Sequence, residues 1–158
     1  MKYSVKLGFA AASLIAFGCG GGSSLGGLDA EATYNIALNQ ANEVPTPKPT
    51  TASGSAQIIV YANTIDYQVT ATSMTSVTMA HIHNGAVGVA GPIVVTLFSN
   101  VANPITPNGV FASGTLTDAN LPAGVTIASL KALIASGKAY VNVHTTANPS
   151  GEIRGQIQ

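Results

Sequence analysis

From Thr33 to the C-terminus, apolar and polar residues alternate with a period of two, in short runs that turn signals separate. Such alternation places apolar side chains on one face of a half-buried β-strand, whereas an amphipathic helix needs a period near 3.6. Prolines at 45, 47 and 49 interrupt the pattern, because proline cannot donate to a sheet's hydrogen-bond ladder. The spacing therefore predicts an all-β domain built from many short strands.

The alternation predicts about eight strands, which lie at residues 34–38, 56–61, 65–71, 77–83, 92–98, 110–116, 139–144 and 152–157. One of these strands contains Ile93-Val94-Val95, and a continuous apolar run is typical of a strand that is buried on both faces. Together these strands indicate a Greek-key β-sandwich or barrel.

One segment has helical periodicity instead. Its apolar positions form a single stripe, consisting of Ile127, Leu130, Leu133 and Ile134. Thr126 is a suitable N-cap, and Gly137 lies where a helix commonly ends. We therefore predict one short packing helix at about 126–136.

The N-terminus has the features of an export signal. Lys2 and Lys6 precede an uncharged stretch at residues 7–17, which is shorter than the roughly 20 apolar residues that a membrane span needs. The segment that ends in Gly18-Cys19 resembles the lipobox of bacterial lipoproteins, although Ala16 stands where that motif prefers Leu. The resemblance implies a signal peptide at 1–18, a lipidated Cys19 followed by a Gly/Ser tether over 19–32, and a folded domain at 33–158.

This resemblance implies an exported lipoprotein of the bacterial cell envelope, held to the outer or plasma membrane by acyl chains and facing the periplasm or the cell surface. The alternative is an inert Cys19 near an ordinary cleavage site. Cys19 is the only cysteine, so the fold is stabilised by its core without a disulfide.

Charge is sparse along the whole chain. Outside the leader, four basic residues stand against six acidic ones, and the basic residues form no cluster. Nucleic-acid binding depends on concentrated positive charge, so we exclude nucleic acid as a partner.

All three histidines lie in two predicted strands. His81 and His83 are two residues apart, so their imidazoles share one face, and His144 on a neighbouring strand would complete a three-nitrogen site. Three imidazoles suit copper or zinc. If Ile82 and Val143 point into the core, the histidines point away from it and are accessible.

Neighbouring polar residues would support such a site. Glu152 could orient His144, Arg154 lies two residues further along the same strand face, and Asn142 shares a face with His144. The alternative is that the histidines hydrogen-bond to loop backbones and fix the connection at 84–92 without a metal.

Ordered motifs along the chain resemble the CHRD domain, a module named after chordin. The motifs are Leu38-Asn39-Gln40-Ala41-Asn42-Glu43-Val44-Pro45, Ala80-His81-Ile82-His83-Asn84-Gly85, Gly91-Pro92-Ile93-Val94-Val95, Tyr140-Val141-Asn142-Val143-His144-Thr145 and Asn148-Pro149-Ser150-Gly151-Glu152-Ile153-Arg154-Gly155-Gln156. The resemblance implies an extracellular or surface module that acts by binding or as structure, with a possible protein partner at the cell surface.

The histidine strands are also similar to the copper-ligand strands of Cu/Zn superoxide dismutases. That resemblance implies that His81, His83 and His144 are copper ligands and that Arg154 lies near the position of that family's active-site Arg. The chain departs from the family because it has no fourth histidine to bridge two metals, no zinc cluster and no disulfide cysteines.

The sequence shows no recognisable catalytic constellation. It has no carboxylate pair spaced for glycoside hydrolysis and no cysteine nucleophile. We therefore expect a membrane-anchored, non-enzymatic binding or structural module. The alternative is a copper or zinc protein that uses the three-histidine site for metal binding or redox chemistry.

Overall fold

A computed structural model of the chain describes residues 29–158. The predicted signal peptide at 1–18, the lipidation site Cys19 and most of the tether lie outside the described residues. In the described part, the strands are β1 (Ala32–Asn39), β2 (Ser53–Val60), β3 (Ile65–Thr72), β4 (Val77–Asn84), β5 (Ile93–Ser99), β6 (Gly109–Leu116), β7 (Ala139–Thr145) and β8 (Ile153–Gln156), and the α-helix is α1 (Ile127–Ala135). The predicted all-β class is confirmed, as are the eight strands and the helix.

The strands form one antiparallel sheet in the order β5-β4-β7-β8-β1-β2-β3-β6. Its two four-stranded halves meet between β8 and β1, where Asn39 pairs with Arg154. The outer strands β5 and β6 approach each other through Phe98 and Phe111, whose rings meet edge to face with centroids 5.3 Å apart. The sheet therefore curls into a nearly closed barrel, which leaves little exposed strand edge.

The core fills the inside of this barrel with alternate residues of each strand. It includes Ile36, Leu38, Ile58, Val69, Ile82, Val95, Leu97, Val141, Val143 and Ile153. The period of two that is visible in the sequence thus corresponds to one face of every strand. Burial of these side chains stabilises the domain, at about 1.5–3 kcal/mol for each large aliphatic residue.

Helix α1 connects β6 to β7 and packs on the core. Thr126 accepts a hydrogen bond from the Ser129 N–H (3.1 Å), and the Ser129 hydroxyl accepts one from the Thr126 N–H (2.9 Å), which forms a capping box. Ile127, Leu130 and Ile134 are buried. Gly137 has φ +69°, the left-handed conformation that ends many helices.

Strand β5 differs from its prediction. Val95 and Leu97 are buried, but Ile93 is 54% exposed, so the strand is buried on one face only. The prediction of a strand buried on both faces was wrong, because an irregularity in the pairing of β4 with β5 places Ile93 opposite His83 on the outer face, where Ile93 is exposed. A short apolar run does not reveal which faces of a strand other segments cover.

Candidate metal centre

The three histidines lie on adjacent strands, since β4 pairs with β7. In this pairing His81 is opposite Asn142, and Met79 is opposite His144, so the His144 ring lies diagonally across from that of His81. Ala80 and Ile82 alternate with the β4 histidines and belong to the core. The histidines therefore point to the outer face of the barrel, as strand parity predicts.

Although they lie on the outer face, the three histidine side chains are not accessible to solvent. His81, His83 and His144 are only 3%, 7% and 5% exposed. The expectation of accessible imidazoles was wrong, because the segments 85–92 and 146–151 fold over this part of the sheet. Gly91 and Pro149, one from each segment, have carbonyl oxygens in direct contact with the imidazoles.

Nitrogen atoms of the three imidazole rings lie close to one another. His81 Nδ1 lies 2.9 Å from His144 Nε2, and one nitrogen from each of the three rings lies within 4.8 Å of the others. Ligands that bind one ion at ~2 Å are at most about 4 Å apart. The widest pair would therefore have to close by roughly 1 Å for one ion to bind all three rings.

Hydrogen bonds to backbone carbonyls fix the tautomers of two rings. His83 Nδ1 donates to the Gly91 carbonyl (2.8 Å), and His144 Nδ1 donates to the Pro149 carbonyl (3.0 Å). A carbonyl oxygen can only accept, so the proton of each neutral ring is on Nδ1 and the lone pair is on Nε2. Protein metal sites commonly orient their histidines in this way.

The lone pair of His83 is unsatisfied. Among the described residues, His83 Nε2 is one of three buried side-chain atoms without a hydrogen-bond partner, together with Asn142 Oδ1 and Glu43 Oε2. A buried acceptor without a partner costs about 1–3 kcal/mol. A metal ion bound to His83 Nε2 would remove this cost.

The environment keeps the imidazoles neutral, the form that binds metals. Burial lowers the pKa of all three rings. For His81, burial and the repulsion that a proton would meet from His144 and His83 lower the pKa to about 4. The three rings can therefore offer lone pairs at neutral pH.

Tyr140 and Arg154 form one wall of the site. The Tyr140 ring stacks on His83, with centroids 4.8 Å apart and planes 9° from parallel, and Arg154 Cζ lies 3.4 Å from the Tyr140 ring centroid. Arg154 also donates to the carbonyls of Ala86 (2.9 Å) and Val89 (3.0 Å). This wall therefore holds segment 85–92 over the histidines.

Glu152 has a different role from the one that the sequence suggested. Its carboxylate accepts hydrogen bonds from the hydroxyls of Thr50 (2.6 Å) and Thr145 (2.5 Å). The contact that orients His144 comes instead from the Pro149 carbonyl. Glu152 thus ties the segment before β2 to the end of β7.

Asn142 and Glu43 form a buried polar pair beside the site. Asn142 is 1% exposed and Glu43 is 4% exposed. Burial raises the pKa of Glu43, although contacts with the Val44 N–H, the charge of Arg154 and the Asn142 side chain oppose this effect. The Asn142 side chain also opposes the lowering of the His83 pKa, although it forms no hydrogen bond that satisfies His83 Nε2.

Sequence analysis did not include Tyr140 or Glu43 in the site. Tyr140 shares a strand face with His144, which was a usable signal. Glu43 lies before a proline-rich segment far along the chain from every histidine, and the sequence carried no signal for its contact with Asn142.

A family model for the CHRD domain matches residues 34–157, which is most of the chain. The chain belongs to the CHRD domain family. The resemblance read from the motifs is thereby confirmed, and the CHRD domain coincides with the barrel. Comparisons with curated proteins and with solved structures gave no match, so the resemblance to superoxide dismutases stays a prediction.

The described helices were also tested as membrane spans. In residues 29–158, no helix combines the length and the apolar character needed to cross a membrane.

Proposed function

We propose that this CHRD domain is a non-enzymatic module that binds one copper or zinc ion through His81 Nδ1, His83 Nε2 and His144 Nε2. The observation that carries the proposal is the buried, unsatisfied lone pair of His83 Nε2, on a ring that has a nitrogen within 4.8 Å of nitrogens of the other two imidazoles. The two hydrogen bonds to Gly91 and Pro149 support it, since they place the lone pairs of His83 and His144 on Nε2, where a metal would bind.

A second candidate function is purely structural. The bonds from His83 to Gly91 and from His144 to Pro149 fasten both covering segments to the sheet, and they would do so without a metal. In that case the barrel serves as a surface module whose partner is another protein at the cell surface.

Metal analysis distinguishes these two functions. The full chain is purified without a histidine-containing tag, and bound metal is measured after titration with Cu(II) or Zn(II). We expect one ion per chain in the wild type, and a loss of at least about tenfold in affinity in His83→Ala and in His144→Ala. Ser113→Ala, an exposed change on β6, is the matched control and should bind as the wild type does.

The outcome decides between the candidates directly. If the wild type and both histidine variants bind equally weakly, the metal proposal is refuted and the structural function remains. Equal loss of binding in Ser113→Ala would indicate that the assay reports folding and not the site.

The metal-binding barrel is further proposed to act as a lipid-anchored, exported protein. Lys2, Lys6 and the lipobox-like sequence ending at Cys19 support this, and the CHRD domain is typical of extracellular or exported proteins. Acyl chains contribute ~0.8 kcal/mol per buried CH₂, so two or more chains give stable membrane attachment.

A further inference from the structure

We propose that the three-histidine site selects monovalent copper, Cu(I), over divalent zinc. This inference rests on the proposed function, because it specifies which ion the site takes. Three features of the site support it: the charge of its donors, the fixed charge of Arg154, and the closed surroundings of the rings.

The donors carry no negative charge. In the part of the chain that the structure describes, the group able to hold a metal consists of three imidazoles, without a carboxylate or thiolate. The electrostatic cost of burying an ion rises with the square of its charge, so a divalent ion costs about four times as much as a monovalent ion of similar size. Neutral donors offset this difference less than anionic donors would.

Arg154 adds a fixed positive charge. Its side chain is 1% exposed and lies on Tyr140, whose ring stacks in turn on His83. Repulsion from this charge is twice as large for a divalent ion as for a monovalent one at the same position.

The surroundings favour a low coordination number. Zinc in proteins is almost always four-coordinate, and Cu(II) prefers a tetragonal arrangement, so both need ligands beyond three nitrogens. The three rings are at most 7% exposed, beneath the segments that carry Gly91 and Pro149. Cu(I) has a filled d shell and accepts three ligands, so once bound it needs no fourth ligand beneath these segments.

Competition for each metal tests the selectivity. Cu(I) is supplied without oxygen as its bicinchoninate complex, Zn(II) is supplied with a chromophoric zinc chelator, and the full chain lacks a histidine-containing tag. We expect one Cu(I) per chain, bound at least about 100-fold more tightly than Zn(II). Zinc binding as tight as Cu(I) binding would overturn the selectivity and leave the metal site standing, whereas binding of neither ion would overturn the proposed function.

Two substitutions of Arg154 test the origin of the selectivity. Arg154→Gln removes the charge. We expect this variant to bind zinc more tightly, so that the ratio of Cu(I) affinity to Zn(II) affinity falls by about tenfold. Arg154→Lys keeps the charge and should keep the ratio. An unchanged ratio in a folded Arg154→Gln protein would exclude Arg154 as the cause, and if that variant fails to fold, the wild-type ratio still decides the selectivity.

Discussion

His81 Nδ1 lies 2.9 Å from His144 Nε2, although the two residues are 63 positions apart in the sequence. In the metal-free protein, the neutral His81 ring donates its Nδ1 proton to the lone pair of His144. A second proton would place a positive charge in a buried, already positive environment. A metal ion can replace the shared proton when His81 carries its own proton on Nε2, because the ion then takes the lone pairs of His81 Nδ1 and His144 Nε2.

The first prediction concerns pH. The pKa of His81 is lowered from 6.5 to about 4, so the unfolded chain takes up a proton more readily than the folded protein. The stabilisation from neutral His81 is complete above pH 6.5 and is lost as the pH falls towards 4. We expect the free energy of unfolding of the metal-free protein to fall by about 3 kcal/mol over this interval, as measured by denaturant titration.

The lowered pKa values of His83 and His144 act in the same direction. A His81→Gln variant cannot be protonated at that position, so its stability should depend less on pH. A wild-type stability that stays constant across this interval would contradict the prediction.

The second prediction concerns Gly91, whose carbonyl orients His83. A Cβ atom at Gly91 would collide with the Asn84 carbonyl oxygen and would lie 2.6 Å from the Asn84 carbonyl carbon. We expect Gly91→Ala to displace this backbone, to cost about 1–3 kcal/mol of stability, and to weaken metal binding by about 10–100-fold. Denaturant titration and metal competition measure the two effects.

The control for Gly91 is Ala90→Ser. Ala90 is exposed in the same covering segment, so this change should leave both quantities unaltered. Wild-type metal affinity in a folded Gly91→Ala protein would show that the Gly91 carbonyl does not position His83.

The third prediction concerns the buried carboxylate of Glu43. Its raised pKa means that the folded protein favours the protonated form, so Glu43 stabilises the fold at low pH and loses this effect as the pH rises above 4.5. Glu43→Gln is neutral at every pH, and its amide can donate to the unpartnered Asn142 Oδ1. We expect it to raise the free energy of unfolding by about 1 kcal/mol at pH ~8, and by less at pH ~4.

Denaturant titration of both proteins at the two pH values measures this difference. A Glu43→Gln protein that is less stable than the wild type at the higher pH would show that attraction between Glu43 and Arg154 outweighs the cost of burying the carboxylate.

The fourth prediction concerns the lipid anchor. Cys19→Ser removes the thiol that would be acylated, so we expect the protein to move from the membrane fraction to the soluble fraction. Ser24 lies in the same tether, so the control protein Ser24→Ala should remain in the membrane fraction. Fractionation followed by immunoblotting measures both, and a Cys19→Ser protein that remains on the membrane would refute the anchor.

Much of the fold could be predicted from residue pattern, because the determinants are local. The period of two fixes which residues of β4 and β7 face the core, so the histidines had to share the opposite face. Thr126 and Gly137 mark the ends of α1 through hydrogen bonds and backbone conformations that depend on a few neighbouring residues.

Accessibility of the candidate site could not be predicted in the same way. The histidines face away from the core and yet are buried, because Arg154 and Tyr140 hold segment 85–92 across them. Contacts of this kind join residues more than 45 positions apart, and sequence spacing carries no information about which loops meet.

The sequence by itself determined the all-β class, the CHRD family and the face on which His81, His83 and His144 lie. Those features depend on local periodicity and on ordered motifs. Only the tertiary structure decided that β4 and β7 are neighbours, that the imidazole nitrogens converge, and that Tyr140, Arg154 and Glu43 surround them. The physical reason is that strand order and loop packing depend on how the whole barrel closes, and no single segment specifies that closure.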